Sequence, residues 1–442
     1  MKVAIVGGGL GGLTAARALV AAGVDAQVLE AGAVAGGVIA TTRDAGYRRE
    51  SAASSFLGGV PRGALALCTE LGVAVDKASA RAKRRWIYID GKLHALPSNP
   101  IELARSELLT WRGKLALLRE PFAPVRSPGG DESMHAFAAR RFGVEAARAI
   151  VAPFVTGVFA ADAHDISLEA GFPKLAALDV PGGVVRGMIG GAIRGMRGKR
   201  EPKLPRGMYA PVGGLGALVD ALTAQLGSRV HTGVRVHEIE PIDGGVLIDR
   251  DRWDGCVLAV PAEDGAGLVA DAVPELATRL REFHRAPAAL VYLGFAAADV
   301  PRAADGFGLL VAQHEQPRVL GVVFESTVWP DRAPEGHVLL RCIYGGARDP
   351  QATGLSDAEL VATAQRDLEI VLGATATPVY TSVVRWSRGI AQYRIGHRER
   401  SRAAMTAGRR HRIALAGADY RGPGVNDICA DAETVATEVG SW

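Results

Sequence analysis

The stretch at residues 3–37, VAIVGGGLGGLTAARALVAAGVDAQVLEAGAVAGG, constrains this chain more than any other. Residues 3–6 are an apolar run of strand character. Gly7, Gly9 and Gly12 follow at once in GxGxxG spacing, ahead of a helix-forming run at 13–22. The first glycine permits a tight turn, the second lets a pyrophosphate approach bare backbone, and the third lets helix and strand pack closely. The free N–H groups and partial positive charge at the helix start favour phosphate there. Residues 25–30 read as a second strand ending on Glu30, spaced to accept ribose hydroxyls and to repel an added 2′-phosphate. This order predicts a Rossmann-like dinucleotide site within an α/β fold. Gly36 and Gly37, directly after the acidic strand, mark the FAD-binding version of that fold rather than the ordinary NAD version. FAD is the predicted cofactor.

A chain of 442 residues has the length for two or three domains around a shared core. Hydrophobic residues at 48% and charged residues at 22% describe a globular protein rather than a disordered one. The net charge of +4, from 51 basic and 47 acidic residues, gives no general case for a nucleic-acid partner. With the first strand beginning at residue 3 there is no space for a signal peptide, so a cytoplasmic protein is expected. No apolar run reaches the ~18 residues of a spanning helix. The longest, 151–161, is broken by Pro153 and Thr156, which leaves only peripheral contact with a membrane. Cys68, Cys256, Cys342 and Cys429 are isolated, with no CxxC pair and no histidine cluster at ligand spacing, so no metal site is expected.

Along the chain, residues 84–97 alternate around Asp90-Gly91 as a hairpin. A helix is expected from Met134 behind Asp131-Glu132-Ser133. Arg186, Arg194, Arg197, Lys199, Arg200, Lys203 and Arg206 stand among glycines. They read first as a solvated loop and second as a contact with anionic lipid at the inner face of a membrane. A strand pair is expected at 230–239 and 246–260, strands at 288–295 and 319–344, a helix at 357–372 and a strand at 413–417. A C-terminal helix at 425–439 would aim its positive end at the flavin's pyrimidine edge. The predicted organisation is a discontinuous FAD-binding domain (1–85, 206–262 and 400–442), a mixed α+β substrate domain (86–105 and 263–399) and a helical insertion (106–205) that could meet a membrane.

These blocks occur in an order that resembles the oxygen-dependent protoporphyrinogen oxidases and coproporphyrinogen oxidases, within the wider flavin amine oxidase group. The likeness runs nearly the full length. It includes RRWIYIDGKLHALP, DESMHAFAARRFG, PFVTGVFAADAHDISLEAGFPKL, PVGGLGAL, DGFGLLV, VLGVVFES, IAQYRIGH and LAGADYRGPGVND. The resemblance implies noncovalent FAD, molecular oxygen as acceptor with hydrogen peroxide released, and oxidation of protoporphyrinogen IX to protoporphyrin IX in tetrapyrrole synthesis. Coproporphyrinogen III is the nearest alternative substrate, and an amine oxidase or a non-catalytic porphyrin-binding flavoprotein are others. Oligomeric state is left open.

By matching motif, Gly7, Gly8, Gly9, Leu10, Gly11 and Gly12 would hold the pyrophosphate and Glu30 the ribose, with Gly36 and Gly37 beside them. Val38, Ala52, Ala53, Ser54 and Ser55 would lie near the isoalloxazine, Val236 would meet the adenine side through its backbone, and Pro423, Gly424 and Val425 would line the flavin. Arg85 matches an arginine that pairs with a substrate propionate, and Phe307, Leu310 and Ile343 match residues that sandwich the macrocycle. No side chain is singled out as catalytic, because the flavin would carry the chemistry. The chain departs from the family pattern at Ser51-Ala52-Ala53, where Gly-Pro is usual after the glutamate matching Glu50. It departs again at Ala391, Ala418, Ile428-Cys429 and Ala432.

Overall fold

The strand Lys2–Val6 is buried at every position after Lys2 and takes the centre of a five-stranded parallel sheet. The order across that sheet is Val230–Thr232, Asp25–Glu30, Lys2–Val6, Gly255–Leu258 and Ile413–Leu415. The helix Leu10–Ala21 carries the chain from the central strand to its neighbour Asp25–Glu30, and the opposite neighbour is supplied much later, by Gly255–Leu258. That reversal of direction opens a crevice at the carboxyl ends of the strands. The structure is a computed structural model that describes residues 1–127, 129–184, 186–187, 205–300 and 305–442. Most of the basic run, 188–204, lies outside the described residues.

A seven-stranded sheet faces this unit, in the order Tyr380–Ala391, Arg285–Ala296, His337–Gly345, Gly321–Val323, Gly308–Val311, Arg85–Ile89 and Lys92–Ala95. Its last two strands are the predicted hairpin. Asp90 and Gly91 both take positive φ, 53° and 70°, the backbone of a tight two-residue turn. Arg85 opens the first of those strands, so it stands in the seven-stranded sheet and not with residues 1–84.

Three other expectations are corrected. Of the strand pair at 230–239 and 246–260, only Val230–Thr232 and Gly255–Leu258 join the parallel sheet. Between them Ile239–Ile242, Gly245–Ile248 and Asp251–Trp253 form an antiparallel meander, because Asp249 and Arg250 turn the backbone at positive φ. The change from nucleotide unit to second sheet comes at Arg285, not at 263. The helices Ala262–Leu268 and Pro274–Arg281 bury Ala266, Leu276 and Leu280 in the same core as Leu258 and Ile413 of the parallel sheet. Finally, 319–344 is not one strand. The short helix Glu325–Val328 and the 3-10 turn Pro330–Arg332 interrupt it, and each brings a fully buried charged side chain inward.

The helical segment contains Met134–Phe142, where the Ser133 hydroxyl caps the first turn by accepting from the Ala136 N–H at 3.1 Å. A π-helical turn, Ala147–Val151, leads into the apolar helix Ala152–Phe159. Among the described residues no helix is long and apolar enough to cross a membrane.

Four buried charges tie the strand Tyr47–Glu50 to the seven-stranded sheet and its connecting turns. Glu325 pairs with Arg332, and with Arg341 at 2.9 Å, while Arg332 reaches Glu50 at 3.2 Å. Burial raises the Glu50 carboxyl above the ordinary glutamate range, and the Arg332 charge, the Thr41 hydroxyl and the Leu215 N–H pull it back. Arg332 and Arg341, with Tyr292 and Trp386, hold residues 50–54 by their carbonyls. Tyr292 Oη donates to Glu50 O at 2.6 Å and Trp386 Nε1 to Ser51 O at 2.7 Å. Arg341 Nη1 donates to Ala52 O at 3.0 Å and Arg332 Nη2 to Ser54 O at 2.9 Å. A second clasp holds the loop before the C-terminal helix. Tyr393 Oη donates to Ala418 O at 2.9 Å and accepts from the Gly422 N–H at 2.6 Å, and the His397 ring stacks on Tyr393 at 3.7 Å.

Glu325→Gln would leave two buried guanidiniums facing one carboxylate, a loss of about 3 to 5 kcal/mol. The chemical-denaturation midpoint should fall accordingly, and an unchanged midpoint would show that the charges do not hold this junction. His397 gives a pH test. Burial, aided by Arg400, pushes its pKa down from 6.5 to about 4, and among the described residues its Nε2 has no hydrogen-bond partner. A depressed histidine contributes stability above its unfolded pKa and loses it as pH falls through the folded one. About 3 kcal/mol should therefore disappear between pH 6.5 and 4. His397→Gln should make the unfolding free energy less steep in that window, and a slope equal to that of the parent chain would reject the assignment.

Candidate cofactor and substrate site

At the switch point the backbone is too close for side chains. A Cβ on Gly12 would lie 1.9 Å from the Gly7 carbonyl oxygen, and Gly7 itself has φ +107° with Ala259 O at 2.9 Å from an added Cβ. The helix Leu10–Ala21 begins at an extended Gly9 with no side-chain cap and no acid in its first turn, so its leading N–H groups face the crevice. The doublet is drawn to the same place. Gly36 N–H donates to Gly8 O at 2.8 Å, and a Cβ on Gly37 would sit 3.2 Å from Gly9 Cα. Gly11 meets Gly417 as closely, which brings the loop after Ile413–Leu415 onto the turn.

Glu30 stands at the end of its strand with both oxygens on backbone N–H groups, Oε2 on Gly8 and Oε1 on Gly32, each at 2.6 Å. It lines a crevice of about 500 Å³ together with Gly7, Val236, Val260 and Arg388. Val236 is buried, and its backbone takes no hydrogen-bond partner among the described residues. An unpaired backbone beside a cavity of this size fits an adenine edge. The residues present therefore fit a bound dinucleotide: glycine backbone for the pyrophosphate, Glu30 for ribose, Val236 for the base.

Residues 50–55 pass from the hairpin Thr41–Asp44/Tyr47–Glu50 towards the start of the C-terminal helix. Ala53 packs against the core that includes Val425 and Ile428, Ser54 Oγ accepts from Arg341 at 3.2 Å, and Val38 is 36% exposed. Gly424 caps the helix Val425–Val439 in extended conformation, behind Pro423. Asn426 accepts from Ala64 N–H at 2.9 Å and donates to Leu57 O at 2.8 Å, so this helix end is fixed to the same segment. Asp427 occupies the first turn and accepts from Gly424 N–H at 3.2 Å, which partly offsets the positive end expected there.

The second sheet supplies a different surface. Register pairs Leu310 with Gly321 and Gly321 with Ile343, so an aliphatic side chain flanks each side of a glycine gap on one face. Arg85, paired with Gly308, begins the same face, and its guanidinium lies 5.4 Å from the centre of the Phe307 ring. Arg85 is exposed and forms no ion pair among the described residues. Phe307 and Ile343 pack on one cluster with Val323 and Trp329, while Leu310 lies under the helix Ala152–Phe159 at Gly157. Arg341, two residues before Ile343 on the same face, grips residues 52 and 54.

Sequence reading missed the charged residues that shape these surfaces. Arg388 walls the nucleotide crevice through Glu263 at 3.2 Å and Asp264 at 2.8 Å, and Asp419 binds Arg285 at 2.8 Å and the Ala262 N–H at 2.9 Å. The one available signal was Arg341 itself, a lone charge within LLRCIY. The four cysteines are buried and free.

The family model of flavin containing amine oxidoreductases matches residues 10–439. The protoporphyrinogen oxidase of Bos taurus is 30% identical, over 99% of this chain and 98% of its own. Coproporphyrinogen III oxidase of Bacillus subtilis (strain 168) is 26% identical, over 97% of this chain and 95% of its own. A crystal structure from Exiguobacterium sp. 255-15, assigned to the protoporphyrinogen oxidases, superposes with a TM-score of 0.82 at 24% identity, over 99% of this chain and 98% of its own. The chain thus belongs to the flavin-containing amine oxidoreductases, in the group of protoporphyrinogen and coproporphyrinogen oxidases, and FAD is the dinucleotide its glycine crevice serves.

Proposed function

We propose that this chain oxidises a porphyrinogen to the porphyrin with molecular oxygen as final acceptor and hydrogen peroxide as by-product, protoporphyrinogen IX being the first substrate. The observation that carries the reading is the strand His337–Gly345, which joins cofactor side to substrate side. Arg341 holds the segment that would flank the flavin, and Ile343, next on that face, packs in one cluster with Phe307 and faces Leu310 across Gly321. Full-length similarity to the Bacillus subtilis enzyme favours a second reading, coproporphyrinogen III.

Bound FAD supplies a hydride acceptor for a bridging carbon of the macrocycle. The protein's part is orientation. Phe307, Leu310 and Ile343 offer apolar surface to a flat ring, and the planar Arg85 fork takes a propionate. Gly7 to Gly12 and Glu30 fix the far end of the cofactor. No side-chain nucleophile is required. Residues 1–84, 205–284 and 400–442 form the cofactor-holding part in this reading, and the seven-stranded sheet the substrate part.

The test is the FAD-loaded protein with each porphyrinogen in turn, read by porphyrin fluorescence and peroxide release. Porphyrin formation no faster than in protein-free buffer would overturn the reading, and the ratio of kcat/KM decides between the two substrates. Arg85→Ala should raise KM by tenfold or more, the loss of a charge-assisted contact of about 1.5 to 3 kcal/mol, with flavin content unchanged. An unaltered KM would remove the propionate role. Glu30→Ala should weaken FAD by about tenfold to a hundredfold in flavin-release fluorescence, since ribose and the Gly8 and Gly32 N–H groups lose their acceptor together. Full retention through gel filtration would count against it.

A further inference from the structure

The strand that carries Arg85 has a second face. Side chains alternate along it. Ile87 and Ile89 pack with Leu108 and Leu109 on the side of Arg85, whereas Trp86 and Tyr88 turn to the opposite core. At the edge of the hairpin, between it and the helix Pro100–Arg105, lies an open groove of about 710 Å³, lined by Trp86 and Leu93 of the opposite core and by Leu96, which packs with Ile87 and Ile89. Trp86, Leu93, Leu96 and Pro97 form its apolar floor, and Lys83, Arg84 and Arg105 stand on its edge. The Trp86 indole N–H is already bound to Asp305 O at 2.9 Å, so the ring offers the groove only its surface, with the Arg84 guanidinium 5.6 Å from the ring centre. Glu102, one of two carboxylates on the edge, accepts from Ser98 N–H and Oγ, both at 2.8 Å, and Glu107 is the other. None of the three cations forms an ion pair among the described residues.

We propose that this groove is a second ligand site, separate from the Arg85 face, for a flat aromatic carboxylate. The plane lies along Trp86 and Leu96, and Lys83, Arg84 and Arg105 take the carboxylates. Resting on the porphyrinogen reading above, the ligand of this class is the oxidised macrocycle. Oxidation converts saturated bridging carbons into a conjugated plane, so a stacking groove favours product over the puckered substrate. The site is thereby placed to hold a product molecule while the Arg85 face takes another substrate.

Equilibrium dialysis of the FAD-loaded protein against coproporphyrin III should show about two bound molecules per chain, one on each face. The double variant Arg84→Ala/Arg105→Ala should bind one of them at least about tenfold more weakly, with porphyrinogen oxidation unchanged. Arg85→Ala should weaken the other. Coproporphyrin tetramethyl ester keeps the plane without the carboxylates and should not occupy the groove. A single bound molecule in the parent chain, two retained by the double variant, or equal binding of the ester would each overturn the groove. Failure of the porphyrinogen reading shows separately, as absence of porphyrin formation in the same FAD-loaded sample.

Discussion

Two carboxylates and two guanidiniums, Glu50, Glu325, Arg332 and Arg341, meet almost without solvent between the strand Tyr47–Glu50 and the seven-stranded sheet with its connecting turns. In so dry a setting each charge would cost several kcal/mol alone, and a quartet of zero net charge is what makes the arrangement tolerable. An apolar junction could be as stable. It could not place hydrogen-bond donors where residues 50–54 need them. Residues 51–54 lie beyond the ladder that ends at Glu50, and carbonyls buried there would otherwise lack hydrogen bonds. The quartet and its neighbours Tyr292 and Trp386 satisfy four carbonyls of residues 50–54 from the second sheet. Stability and placement of the cofactor-side segment therefore come from one set of contacts.

The two sides of the site are built from different materials. Around the glycine turn nearly everything offered to a ligand is backbone: N–H groups of the helix start, the peptide at Val236, and glycines that hold close approaches at Gly7, Gly12 and Gly37. Such a surface depends on the path of the chain, which the central strand Lys2–Val6 and its parallel neighbours fix. On the seven-stranded sheet the offer is made by side chains, chosen by alternation along strands, with Gly321 leaving room between Leu310 and Ile343. The glycine turn thus tolerates few backbone changes, while the face of the second sheet can be retuned one residue at a time.

The local parts of this design were legible. Glycine spacing with the acidic strand end located the strand, turn, helix and second strand at 2–30, Asp90-Gly91 located the hairpin, and the helices Asp357–Leu372 and Val425–Val439 have the expected bounds. Each rests on neighbours within a few residues. What escaped reading lies between distant segments. Arg332 and Glu50 are 282 positions apart, and Arg388 and Glu263 are 125 apart. No periodicity records such a pairing. The helices Ala262–Leu268 and Pro274–Arg281 escaped for the same reason: their apolar stripes predict burial, but only topology says against which sheet.

The departures from the family pattern at Ser51, Ala52 and Ala418 have a physical explanation in how these residues are held. Ser51, Ala52 and Ser54 are gripped by their carbonyl oxygens, and Ala418 likewise by Tyr393 Oη. A carbonyl is present whatever the side chain, so these positions can lose a glycine, proline or asparagine without losing the contact. The residues that cannot vary freely are the donors at the other end. Arg332 and Arg341 each bond a carboxylate and a carbonyl at once, and a lysine, with its single point charge and no planar fork, could not span both. The holding side chains stand on strands and turns of the second sheet, where a reading of the cofactor motif alone does not look.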